Sequence, residues 1–232
     1  MVRAMRQTKL VIFDCDGVLI DSEVISATML ITELKGYGVD IDREFVSRQF
    51  LGRSYPTVMK EVRETFGVTL PEHFEADYRA RLLAAFDRDL QIMPGVVDTI
   101  ARLAVASCVA TSSSPERVKQ SLRQVALTEV FGHRVFTASQ VASGKPAPDL
   151  FLFTAAQMGV APAHCLVIED SLNGVRAGLA AGMEVWRFTG GSHLQGLDPS
   201  TPSDAIAHRQ FADFTAFFEG RPDLLARPKM TA

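Results

Sequence analysis

KLVIFDCDGVLID, residues 9–21, is the stretch whose reading decides the fold. The apolar run KLVIF at 9–13 has the length of a strand covered on both faces and is too short for a buried helix. It leads directly into Asp14-Cys15-Asp16-Gly17, so two carboxylates emerge where the strand ends and the chain turns. Strand alternation sets both on one side for as long as the strand persists. A DxDG also opens calcium loops, but an EF-hand needs a third oxygen ligand before its glycine and an entering helix. Here the glycine comes early and a strand enters. Two carboxylates this close at a buried edge repel, which calls for a cation or a shared proton.

Outward from this stretch, SCVA at 107–110, RVFTA at 134–138, CLVI at 165–168 and EVWRF at 184–188 are further short strands. Helical patterns fall between them. Pro94 opens one through Val97, Ile100 and Leu103, and Pro115 opens another through Val118, Leu122 and Val125. A third, capped by Ser171, runs through Val175 and Leu179 to a stop at Gly182. The alternation predicts an α/β fold, a doubly wound, Rossmann-like parallel sheet. Residues 20–90 break the rhythm: they read as helix after helix, with loops at 36–42, 51–56 and 67–71. The expected organisation is a core of residues 1–19 and 91–232 with a helical-bundle cap of residues 20–90. Such an insertion lies at the carboxyl end of a strand, where open α/β sheets bind ligands, and so reads as a lid. The tail GRPDLLARPKMTA, residues 220–232, is expected to fray.

A chain of 232 residues with 47% apolar content can build a sizeable core, and disorder is excluded. With 24 Lys plus Arg against 27 Asp plus Glu, and no long basic run, charge makes no case for nucleic acid. Cys15, Cys108 and Cys165, an odd number without CxxC spacing, read as buried thiols, not as a disulfide framework or zinc site. No stretch approaches a membrane span, and MVRAMRQT is followed by too short an apolar run for a secretion signal. A cytoplasmic protein is the expectation.

A second acidic site follows the strand at 165–168, where Glu169-Asp170 precede the Ser171 cap. Parallel strands share one carboxyl edge, so Asp14, Asp16 and Asp170 can converge from distant parts of the chain. Oxygen ligands of this kind suit Mg²⁺. Alone, Glu169 and Asp170 would serve equally as an acidic helix start. Phosphate donors lie at the same edge: Thr111 with Ser112 and the serines after it, at a strand-to-helix turn, and Lys145 in GKPAPD. Each is weak singly, since SSSP is an ordinary helix start and a lone loop lysine is usually solvated.

Taken in order, DCDGVLID, the strand-end Thr111, GKPAPD and IEDSLNG resemble the four motifs of the haloacid dehalogenase-like hydrolases over residues 9–190, and the helical insertion resembles that superfamily's four-helix cap. Within it, FDCDGVLIDSEVI and AGMEVW are similar to the β-phosphoglucomutase-like branch and its bacterial phosphatases of sugar phosphates and 6-phosphogluconate. The resemblance implies a Mg²⁺-dependent phosphohydrolase. Asp14 is then the nucleophile, and Asp16 the acid and base. Asp170 holds the metal with the Asp14 carboxylate and the Asp16 backbone carbonyl, with Glu169 acting directly or through water. Thr111 and Ser112 hold the phosphoryl group, and Lys145 balances charge. The implied partner is a small phosphorylated metabolite, with neither nucleic acid nor membrane, and a monomer or weak homodimer as the assembly.

Three rivals share these groups. A receiver domain places an adjacent acidic pair at its first strand, not DxD, and lacks a cap. A metal-free haloacid dehalogenase would leave Asp16 and Asp170 as unneeded charge. A β-phosphoglucomutase-like mutase carries a cap-hinge histidine and a cap arginine, at positions that fall on Ser26 and Tyr55 here. Arg53, two residues before Tyr55, is the candidate cap contact to an anionic substrate or else a solvated loop arginine.

Overall fold

The computed structural model describes residues 7–196 and 201–226. Its centre is one sheet of six parallel strands, β1 Leu10–Phe13, β2 Ala106–Thr111, β3 Val135–Thr137, β4 Cys165–Glu169, β5 Glu184–Phe188 and β6 Arg209–Phe211, in the order β3-β2-β1-β4-β5-β6. The sheet is covered on both sides, which is why its strands read as continuous apolar runs. Val11, Phe13, Val109, Leu166 and Ile168 point into one core, and Leu10, Ile12, Cys108, Cys165 and Val167 into the other. The three cysteines are free and buried, as their sequence contexts predict.

The insertion carries α1 Glu23–Lys35, α2 Arg43–Phe45, α3 Tyr55–Phe66 and α4 Phe74–Asp89. A π-helical turn, Val46–Phe50, continues α2, and among the described residues no strand falls within residues 23–89. The two chain crossings into and out of the insertion are zipped together: Asp21 N–H donates to Gln91 at 2.9 Å and Met93 N–H to Leu19 at 2.9 Å. Beyond it come α5 Val96–Ala101, α6 Pro115–Gln124, α7 Thr128–Phe131, α8 Asp149–Gln157, α9 Leu172–Ala180 and α10 Phe217–Gly220. Ser171 caps α9 by accepting from Gly174 N–H at 3.0 Å, and Pro115 sits in the first turn of α6, both as predicted. Among the described residues, no helix is long and apolar enough to cross a membrane.

Two expectations are corrected, and one strand went unread in the sequence. Pro94 does not open a helix: Pro94 and Gly95 form a turn, and α5 starts at Val96. The buried face is therefore set by Val96 and Thr99, leaving Val97 54% exposed. β6 had no apolar run to announce it, because Arg209 and Gln210 stand at the sheet edge and only Phe211 turns inward. The tail is ordered as far as Ala226, the limit of the described residues there. Arg221, 3% exposed, donates to Thr8 Oγ1 at 2.8 Å and to Glu184 at 2.9 Å, while Leu224 is buried.

An aromatic cluster holds this C-terminal edge to the sheet. Phe214 lies 4.7 Å from Phe188 and 5.3 Å from Phe211 between ring centroids, and Phe217 lies 5.4 Å from Trp186. Phe214 is 1% exposed, so truncating it opens a cavity with little room to collapse. Phe214→Ala is expected to lower the unfolding free energy by roughly 3–5 kcal/mol in a urea titration. A loss below about 1 kcal/mol would show that the cluster does not anchor the edge.

Candidate active site

Three adjacent strands deliver the sequence-predicted residues to one edge. Phe13 pairs with Ile168 and Asp14 N–H donates to Ile168 at 2.9 Å, so Asp14 emerges beside Glu169 and Asp170 at the end of β4. Asp14, Glu169 and Asp170, all buried, each bring a carboxylate oxygen within 4.8 Å of the others. Lys145 enters this cluster, so it is not a solvated loop lysine. Its Nζ donates to Asp14 Oδ1 at 2.9 Å, Glu169 Oε1 at 2.7 Å and the Ala110 carbonyl at 3.1 Å. Burial opposes its charge, but Asp14 and Glu169 outweigh that and hold the ammonium above its ordinary range. Burial also pushes the Asp14 carboxyl well up, only partly offset by Lys145, and Asp170 is raised by burial and by the charge of Glu169.

Asp16 does not add its carboxylate to this cluster. β1 has ended at Phe13, so strand alternation no longer applies, and the Asp16 side chain turns toward the loop after β2. Oδ1 accepts from Ser22 Oγ and Arg117 Nη2, both at 2.6 Å, and Oδ2 from Ser113 Oγ at 2.6 Å and Thr111 Oγ1 at 3.5 Å. Burial alone would raise its pKa, but Arg117 and the hydroxyls bring it below the usual value. Gly17 completes the motif for a steric reason: at φ +77°, a Cβ there would sit 2.2 Å from Asp170 Oδ2.

Thr111 lies at the predicted edge, its hydroxyl accepting from Ser113 N–H at 3.0 Å. Ser112 is turned away from it. Its hydroxyl donates to the Gly52 carbonyl of the insertion at 2.7 Å, so it ties core to insertion and is not free for a phosphoryl oxygen in this arrangement. Asn173 Nδ2 makes a second such tie, to the Leu51 carbonyl at 2.8 Å. A Cβ at Gly52, where φ is +77°, would lie 2.1 Å from Ser171 Oγ, so only glycine lets the loop close this far onto the core. Arg53 lines the resulting cavity and is ion-paired with Glu61.

The cavity has Asp14, Asp16, Thr111 and Arg117 on the core side and Phe50, Tyr55 and Tyr78 on the insertion side. Tyr55 and Tyr78 stack at 5.4 Å. Two residues here were missed from the sequence. Arg117 occupies the third position of α6, where a cation opposes the helix dipole, and that misfit was the available signal of an anionic partner. His193 had no local signal. Its Nε2 approaches Asp170 Oδ2 to 2.8 Å without hydrogen-bond alignment, and burial lowers its pKa, favouring the neutral ring. Asp170 Oδ2 is therefore a buried oxygen with no hydrogen-bond partner among the described residues. An orphaned carboxylate oxygen within an all-oxygen donor set fits a hard divalent cation.

A parallel sheet with acids, a lysine and a threonine gathered at its carboxyl edge defines an α/β enzyme equipped for anionic substrates. The family model for haloacid dehalogenase-like hydrolases matches residues 8–182, and the chain belongs to that family. It is 30% identical over 190 residues to the 6-phosphogluconate phosphatase of Escherichia coli K12, covering 82% of this chain and 86% of that protein. It is 33% identical over 192 residues to a probable pseudouridine-5'-phosphatase of Drosophila melanogaster, covering 79% and 82%. Among solved structures, a HAD family hydrolase from Deinococcus radiodurans with bound phosphate and sodium superposes with a TM-score of 0.71 at 30% identity, covering 95% of this chain and 99% of that one. With such relatives, the chain is a phosphatase of the family.

A further acid of the cavity lies outside the cluster. Glu23, half-buried in the first turn of α1, has its pKa pushed up to about 8 by burial and by the charge of Asp16, with Arg117 and His193 acting against the shift and Asp170 with it. A carboxyl raised in the folded state above its ordinary value of 4.5 costs nothing below that pH, and its cost is complete above about 8. Glu23→Gln should therefore raise Tm more at pH 9 than at pH 5, read by thermal melts in matched buffers. Equal shifts at both pH values would contradict the burial of this charge.

Proposed function

We propose that the chain is a Mg²⁺-dependent phosphohydrolase of a small phosphorylated metabolite, a sugar phosphate or a sugar-acid phosphate such as 6-phosphogluconate, working through an aspartyl phosphate on Asp14. The observation that carries this reading is the buried cluster of Asp14, Glu169 and Asp170 with Lys145 Nζ shared between the first two. Residues 20–90 act as the cap over a core of residues 1–19 and 91–232. Asp14, Asp170 and the Asp16 backbone carbonyl would hold Mg²⁺, with Glu169 supporting them, and the ion would supply positive charge for the phosphoryl oxygens.

The remaining steps belong to the chain's own groups. An Asp14 carboxylate oxygen attacks phosphorus as the bond to the leaving oxygen breaks, and Asp16, entering this step in its protonated form, gives that proton to the leaving oxygen. Water then attacks the acyl phosphate, gives its proton to Asp16, and releases inorganic phosphate and the free Asp14 carboxylate. Thr111 holds a phosphoryl oxygen, and Lys145 keeps the nucleophile's charge balanced against the incoming dianion. Arg53 is the cap-side contact for a substrate anion, and to make it the guanidinium exchanges Glu61 for that anion.

Water as acceptor, not a second sugar, is supported by the cavity wall. The positions where a mutase carries its histidine and arginine hold Ser26 and Tyr55; both line the cavity and neither carries charge. Phosphate should accordingly appear in step with substrate loss. Conversion of glucose 1-phosphate to glucose 6-phosphate faster than phosphate release would establish the mutase instead.

Asp14→Asn should abolish both turnover and the acyl phosphate, the amide being a far weaker nucleophile. Chelation should abolish activity in the unmodified chain and Mg²⁺ should restore it, both followed by phosphate release. Full activity in excess EDTA, or wild-type rates in Asp14→Asn, would refute the proposed chemistry.

A further inference from the structure

His193 is a polar ring built in beside the charge cluster, and it has no part in the proposed proton and phosphoryl transfers. The 3₁₀ turn Ser192–Leu194 that carries it follows β5 and is held on both sides of the ring. Ser192 donates to Asp21 Oδ1 through its backbone N–H at 3.3 Å and through its hydroxyl at 2.8 Å, and Leu194 N–H donates to the Gly191 carbonyl at 3.1 Å. The ring is 6% exposed and lies against two glycines that leave no room for a side chain. A Cβ at Gly17 would be 2.9 Å from its Cε1, and one at Gly191 would be 2.6 Å from the same atom.

Three buried polar atoms meet here without a hydrogen-bond partner among the described residues: Asp170 Oδ2 and both His193 nitrogens. Packing alone does not account for such a ring, since an apolar side chain would fill the space with no polar atom to desolvate. Nε2 stands 2.8 Å from Asp170 Oδ2, already the separation of an N–H···O bond. A neutral imidazole has hydrogen on one nitrogen and a lone pair on the other. A lone pair this close to a carboxylate oxygen would repel it, so Nε2 is the nitrogen that bears hydrogen. Alignment needs only a turn of the Asp170 carboxylate about its Cβ–Cγ bond, a soft torsion. The ring is not itself in the donor set, which consists of carboxylate oxygens of Asp14, Glu169 and Asp170.

We infer that His193 is a positioning residue for the divalent cation: its Nε2–H donates to Asp170 Oδ2, fixes the direction of that carboxylate and leaves its remaining lone pairs for the ion. The inference rests on the Mg²⁺-dependent reading above. A carboxylate offers about four lone-pair sites, so one N–H does not compete with coordination. The donated hydrogen also favours the ionised carboxylate, which is the form that ligates. Hydrogen-bond partners of metal ligands typically change metal affinity by about 10- to 100-fold when removed.

Mg²⁺ binding to the full chain, followed by isothermal titration calorimetry without substrate, reads this role apart from turnover. His193→Leu removes the donor and should weaken Mg²⁺ binding roughly 10- to 100-fold. His193→Gln, whose amide N–H can stand in for Nε2–H, should recover most of that loss. The Mg²⁺ concentration giving half-maximal phosphate release should rise in His193→Leu by the same factor. Should His193→Leu not fold, His193→Asn carries the comparison, because its shorter amide reaches the place of Nδ1 and not that of Nε2. Unchanged Mg²⁺ affinity in His193→Leu, or equal losses in His193→Leu and His193→Gln, overturn the inference and leave the phosphohydrolase reading intact. A wild-type chain that binds no Mg²⁺ overturns that reading, and the inference with it.

Discussion

The structure is organised around one buried ammonium. Lys145 Nζ sits between Asp14 and Glu169 with no solvent exposure of its side chain, at the point where β1, β2 and β4 end together. Removing one partner from such a buried set leaves an uncompensated charge, typically at a cost of about 3–5 kcal/mol, so the three strand ends and the loop that carries Lys145 are bound to one another electrostatically. Three carboxylates less one ammonium leave a formal excess of two negative charges at the cluster. The upward shifts of Asp14 and Asp170 express the resistance of a buried site to that excess. In the proposed chemistry a divalent cation relieves it, and the same residues then present a neutralised floor to a phosphate dianion.

How much of this could be read from the sequence follows from how local each cause is. β1 and β4 are central strands, buried on both faces, and their apolar runs end in acids; a reader sees both the strand and its functional end. β6 is a three-residue edge strand with two polar positions, and its place in the sheet depends on an aromatic cluster gathered from residues 186–217, which no window of sequence displays. The start of α5 was misplaced for a related reason. Pro94 fits a first helical turn, but Gly95 adopts φ +79° and shifts the start by two residues, turning Val97 outward.

The site divides in the same way. Asp14, Thr111, Lys145, Glu169 and Asp170 were legible because parallel strands must share a carboxyl edge. Asp16 was legible as a residue but not in its direction, since alternation stops where the strand stops. Ser112 was read as facing phosphate because it follows Thr111, yet the carbonyl it meets, Gly52, belongs to a segment about sixty residues away in sequence. Arg117 was visible only as a charge in an unfavourable helix position, and His193 not at all, because its neighbour Asp170 is reached only through the folded loop after β5.

The contact between insertion and core has a chemistry of its own. Around the cavity the two are joined by Ser112 to Gly52, Asn173 to Leu51 and Arg117 to Ser26, hydrogen bonds in which both partners can also be satisfied by water. Each such bond contributes only about 0.5–1.5 kcal/mol net, because water replaces it when it opens. At this contact the polar ties combine with a glycine that permits close approach of the loop to the core. The chain crossings between insertion and core, at residues 19–21 and 91–93, are instead paired through backbone hydrogen bonds, so they depend on no side chain that substrate could draw away.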